Sequence, residues 1–94
     1  MKELQALVEE IHTLDQQLAR FERKYGLLSE TFYAWYQSGE EPEDEAWVQD
    51  FALWAGTCEL KLRREEKYRR LLAQALARRR TSDLMHEAVL VGAA

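Results

Sequence analysis

A chain of 94 residues with a net charge of −4, 32% charged and 47% hydrophobic side chains has room for one small domain, because a chain this short buries only roughly two-thirds of its unfolded surface. Its single cysteine, Cys58, excludes an internal disulfide and any zinc site built on two or more thiolates. No run approaches the ~20 apolar residues of a membrane span, and Glu3, Glu9 and Glu10 break the apolar core that a signal peptide needs, so a soluble protein of the reducing cytoplasm is expected.

The charge is segregated along the chain: residues 1–60 carry −9, residues 61–80 carry +7 and residues 81–94 carry −2. Net charge therefore hides a basic stretch able to meet a phosphate backbone or an acidic protein.

Leu4, Leu7, Ile11, Leu14, Leu18, Phe21, Tyr25 and Leu28 recur at alternating steps of three and four, which predicts a helix with one apolar seam and excludes a strand. Lys24 suits the negative end of that helix and Gly26 the left-handed position beyond it, so the helix closes at Tyr25. Ser29 is the expected cap of a second, short helix, with Leu28 and Tyr33 as a hydrophobic staple. Ser38 and Gly39 end it. The acidic loop of Gly39, Glu40, Glu41 and Pro42 leads to Glu43, Asp44 and Glu45, whose charges favour the start of a third helix.

That third helix is expected to run from Glu43 to Arg80, with Gly56 its one weak point at a cost of about 1 kcal/mol relative to alanine. At ~1.5 Å per residue it overhangs an antiparallel first helix by ~20 Å, carrying Arg78, Arg79 and Arg80. Thr81, Ser82 and Asp83 read as a break, leaving 81–94 as a short segment of open structure after a single helical domain at 1–80.

Nine of ten aromatic residues lie between Phe21 and Trp54. Trp47, Phe51 and Trp54 share a helical face and are expected to close a core over the first two helices. Tyr33, Trp35 and Tyr36 cover too much of a short helix for all three to be buried. Together with Glu40, Glu41 and Asp44 they form the expected protein-binding surface.

The first helix flanks its seam with Glu3, Glu10, Asp15 and Glu22. A parallel copy would set acid against acid, whereas a third helix folded back antiparallel brings Lys61 to Arg70 alongside. The basic stretch thus has two readings: an internal charge match, or an external anion contact through Arg63, Arg64, Lys67, Arg70, Arg78, Arg79 and Arg80. Glu65 and Arg69 interrupt the apolar line Cys58, Leu62, Leu72 and Leu76, so Leu72 and Leu76 need another surface, and a homodimer supplies one.

Catalytic chemistry has no foothold. Glu9 and His12 have the Glu-x-x-His spacing of helical di-iron sites, but both project away from the seam. Cys58 has no base beside it and reads as a small buried hydrophobe, and the carboxylates from Glu40 to Asp50 lack the oxygen spacing of a calcium loop. No cofactor and no metal is expected.

The block from Lys24 to Trp54, with its Tyr25-Gly26 turn, the Ser29-led segment bearing Glu30 and the Phe32-Tyr33 pair, the Gly39-Glu40 acidic loop and a Trp-bearing helix after it, resembles small helical proteins of bacteria and archaea encoded beside toxin genes and regarded as antitoxins or antitoxin-like. The likeness spans roughly residues 20–60. It implies a non-enzymatic protein that binds and neutralises a partner, and it carries no catalytic residue. The arginine-rich extension and the tail from Leu84 to Ala94 have no counterpart in it.

The sequence thus predicts an all-α protein: an antiparallel hairpin of a first and a long third helix with coiled-coil-like packing, and a short aromatic cross-helix. It predicts a binding module, antitoxin-like or adaptor, with a dimer favoured, and a small nucleic-acid-binding subunit as the alternative.

Overall fold

The structure, a computed structural model, describes the backbone of residues 2–93 and the side chains of residues 2–79. It contains three helices, α1 (Lys2–Tyr25), α2 (Ser29–Gln37) and α3 (Glu45–Ala93), and among the described residues no strand. α1 and α3 pack along each other as an antiparallel hairpin, with α2 laid across its closed end.

The seam of α1 is the one its periodicity predicts. Leu7, Leu14 and Leu18 are buried, and Leu4, Ile11, Phe21 and Tyr25 are half-buried. Leu28 leaves the series: it lies past the helix end and is 68% exposed. α1 stops where Gly26 turns to φ +66, its N–H donating to the Glu22 carbonyl at 2.8 Å, the left-handed close that glycine adopts without a Cβ penalty.

Ser29 does not cap α2. Leu28 holds the cap position without a capping side chain, and the Ser29 N–H donates instead to the Glu22 carboxylate, 2.8 Å away on α1. The cap is tertiary because Ser29 stands one residue inside the helix, past the cap position, where its hydroxyl accepts from the Trp54 indole N–H. α2 ends at Ser38 and Gly39, the latter at φ +88.

α3 starts two residues later than expected, because the Asp44 carboxylate accepts from the Ala46 N–H at 2.8 Å and so fixes the first turn. It also continues past the expected end at Arg80 and the break at Thr81 to Asp83, as one helix of 49 residues. Threonine, serine and aspartate cost at most about 0.7 kcal/mol each inside a helix, and no glycine or proline lies between Gly56 and Gly92.

The register follows from three ion pairs: Lys24 with Asp50, Asp15 with Lys61, and Glu10 with Arg64. Facing residue numbers therefore total about 75, as an antiparallel pair requires. Lys2 is level with about residue 73, and α3 continues alone for about twenty residues, an arm of ~30 Å rather than the expected ~20 Å. The molecule is accordingly a rod of 72 × 22 × 18 Å with a radius of gyration of 20.5 Å, where a compact chain of this length has ~12 Å.

On α3 the residues that face α1 are Phe51, Trp54, Cys58, Lys61, Glu65, Tyr68, Leu72 and Ala75, again at steps of three and four and all buried or half-buried. Leu62 and Leu76 of the expected apolar line lie off this face and are 51% and 49% exposed. Lys61 and Glu65 hold seam positions because long polar side chains lay their methylenes on apolar neighbours and keep their charged ends wet.

The core lies at the closed end, where Leu18, Phe32, Phe51, Trp54, Ala55 and Cys58 are buried together. Phe32 and Trp54 are fully enclosed and stack at 3.8 Å with planes 1° apart. Trp47, expected in this core, is only its lid: it is 42% exposed, edge-on to Tyr25 at 6.2 Å and stacked on Phe51 at 6.1 Å.

Candidate binding surfaces

The two ends of the rod differ in chemistry. At the closed end Trp35 meets Phe51 edge-on at 5.8 Å, and Tyr36 lies 5.6 Å from Phe32. Tyr33 borders a shallow hollow of about 320 Å³ with Cys58, Lys61 and Leu62. All three aromatic residues expected at a protein partner are thus half-buried against the core. Each shows one edge to solvent and supports the fold with the other.

Glu40 and Glu41 are exposed, and so is Asp44, whose carboxylate is engaged in capping α3. Beside them stand residues that the sequence reading did not place at a surface: Trp47, and Val48 at 51% exposure. The signal was present in the spacing, since Val48 follows Trp47 directly and two neighbours in a helix cannot share one narrow face.

The same end holds a polar clamp between α1 and α3. Lys24 Nζ lies 2.6 Å from Asp50 Oδ2, and the Tyr25 hydroxyl donates to the same oxygen. The hydrogen bonds from Lys24 and Tyr25 hold the Asp50 carboxyl below its ordinary value. The bond to Asp50 raises Lys24 in turn, and burial, then the bond to Asp50, raises the Tyr25 phenol. Lone residues in a sequence do not announce such a cluster, because it depends on the helix register.

Along the basic stretch the two readings divide by residue. Lys61 reaches Asp15 at 2.7 Å and Arg64 reaches Glu10 at 3.0 Å, both across the hairpin, and Arg63 pairs with Glu59 one turn back at 2.6 Å. The bond to Asp15 raises Lys61 above its ordinary value. Lys67, Arg70, Arg78 and Arg79 are exposed and make no ion pair among the described residues. The Arg80 side chain lies outside the described ones.

Glu9 and His12 are both exposed, and among the described residues no group of three His, Cys, Asp or Glu side chains could hold a metal ion. Cys58 is 6% exposed, and burial pushes its thiol up, the opposite of what a nucleophile needs. Among the described residues no helix is long and apolar enough to cross a membrane. Comparison with models of protein families, with curated proteins and with solved structures finds no match for this chain.

Proposed function

We propose that this protein is a non-enzymatic, cytoplasmic binding module, antitoxin-like or adaptor, whose closed end covers a basic surface on a partner protein such as a toxin. One observation carries the reading. From Tyr25 to Leu60 the chain has eight acids and no lysine or arginine, and the exposed carboxylates Glu40, Glu41 and Glu45 come just before the exposed apolar Trp47 and Val48 in the chain. An apolar anchor ringed by charge of one sign is how a surface takes a partner of the opposite sign: the anchor gives affinity, the rim gives rate and choice.

Trp35 and Tyr36 contribute their free edges, while Glu40 and Glu41 steer. The lone buried cysteine suits the reducing compartment. A homodimer, also part of the reading, has the exposed Leu76, with the open edge of half-buried Leu72, as its contact.

The test is co-expression with the protein encoded beside it, followed by purification of the pair. Glu40→Lys with Glu41→Lys reverses the rim at two exposed positions without touching the core, and Trp47→Ala removes the anchor. Both should abolish capture, whereas Arg78→Gln with Arg79→Gln should leave it intact. Capture that survives the charge reversal overturns the reading. Trp35→Ala and Tyr36→Ala remove core contacts, and Trp47→Ala gives up its stacking on Phe51, so the charge reversal is the cleanest probe and Trp47→Ala is read with its helix content unchanged.

A further inference from the structure

We propose that the free arm of α3 docks in the major groove of B-form duplex DNA, held by Arg78 and Arg79 with Lys67 and Arg70 on the flanking phosphates. From Lys67 to Ser82 the chain has six bases and no acid. Lys67, Arg70, Gln74 and Arg78 follow one another at steps of three, four and four, and all four are exposed; that spacing aligns them on one face of the helix.

Shape selects the ligand. A single helix with its side chains is ~10–12 Å across and fits a groove ~12 Å wide. The hairpin, 22 × 18 Å in cross-section, does not. Only beyond about residue 73 does α3 stand free of α1, and the arginine cluster begins there. Ala73, Ala75 and Ala77 precede it with small side chains, beside the uncharged Gln74, and let the helix backbone approach base edges closely. A membrane surface would call for a continuous apolar stripe, and in the basic stretch from Ala73 to Asp83 Leu76 is the one large apolar residue.

The acids of the closed end do not oppose this. Glu45 lies ~50 Å from Arg78 along the helix axis, about six times the Debye length of ~8 Å at physiological salt. The rod keeps those closed-end acids away from a polyanion held at the other end, and the acids nearer the arm, Glu3 on α1 with Asp83 and Glu87 further along α3, are outnumbered by its six bases.

The experiment is fluorescence anisotropy of a labelled mixed-sequence duplex of about 20 base pairs titrated with the full chain. Neutralising four phosphates predicts about a hundredfold loss of affinity between ~50 and ~200 mM salt. Arg78→Gln with Arg79→Gln should weaken binding at least about tenfold at ~50 mM salt and reduce the log–log salt slope by about 2, with helix content by circular dichroism unchanged. Glu40→Lys with Glu41→Lys should not weaken it, which separates this proposal from the protein-binding one. No binding at ~50 mM salt with ~100 µM protein overturns the proposal, as does an unchanged slope in the double variant. Equal or tighter binding to single strands or duplex RNA overturns the groove. Equal competition by poly-glutamate assigns the arm to an acidic protein instead.

Discussion

The Trp54 indole N–H donates to the Ser29 hydroxyl across 2.9 Å, tying the buried face of the N-terminal part of α3 to the first residue of α2. Because Trp54 is fully enclosed, Ser29→Ala leaves its N–H without an acceptor in a place water does not reach. The expected cost is about 1–3 kcal/mol. Trp54→Ala should cost about 3–5 kcal/mol through the cavity it opens. Urea midpoints at constant slope check both.

Glu22 supplies from α1 the cap that α2 lacks locally. Glu22→Ala should destabilise by about 0.5–2 kcal/mol, the range for a lost N-cap. Glu22→Gln keeps an oxygen acceptor and should lose less. An equal loss in the two variants would show that the charge, and not the hydrogen bond, is what the helix start uses.

Gly56 sits inside α3 at an exposed position, and a Cβ built there meets nothing within 4 Å. Its φ is not in the left-handed region, so alanine fits without strain. Gly56→Ala should stabilise by about 1 kcal/mol, a rise in Tm of roughly 4–8 °C for a chain of this size. A thermal melt that moves down would mean that α3 bends at this point in solution.

The Lys24, Tyr25 and Asp50 clamp gives a dependence on acid. The Asp50 carboxyl titrates lower in the folded chain than in the unfolded one, so the unfolded state takes up its proton first as pH falls. Its contribution is complete above the ordinary carboxylate value near ~4 and is lost as pH drops through the depressed one. Asp50→Asn should flatten the stability profile in that window and leave it parallel to the parent near neutrality. Denaturation at stepped pH reads the difference; identical acid limbs would mean that the clamp is open in solution.

How far the sequence disclosed all this depended on which side chains carried the signal. The α1 seam is written entirely in apolar residues, so its period and its end at Tyr25 and Gly26 could be read directly. The α3 seam passes through Lys61, Glu65 and Tyr68, and a search for apolar residues steps aside to Leu62 and Leu76, which point to solvent. Charge pattern gave the antiparallel direction, but not the register that joins Glu10 to Arg64 and Lys24 to Asp50, since any shift by a turn keeps acids beside bases. Ser29 has the local preference of a cap but stands one residue inside α2, its hydroxyl engaged by a distant indole. At the binding surfaces the exposed acids and arginines were legible from charge alone. Trp47 was not, because its period matches the core while its place at the first turn of α3 leaves it on the rim.

A 72 Å rod on a 94-residue chain drags more water and tumbles more slowly than a sphere of its mass. A lone copy should therefore leave a sizing column early, at the position of a rounded protein well above its own 11.1 kDa. Light scattering, which weighs particles without regard to their outline, is the measurement that distinguishes one slender copy from two.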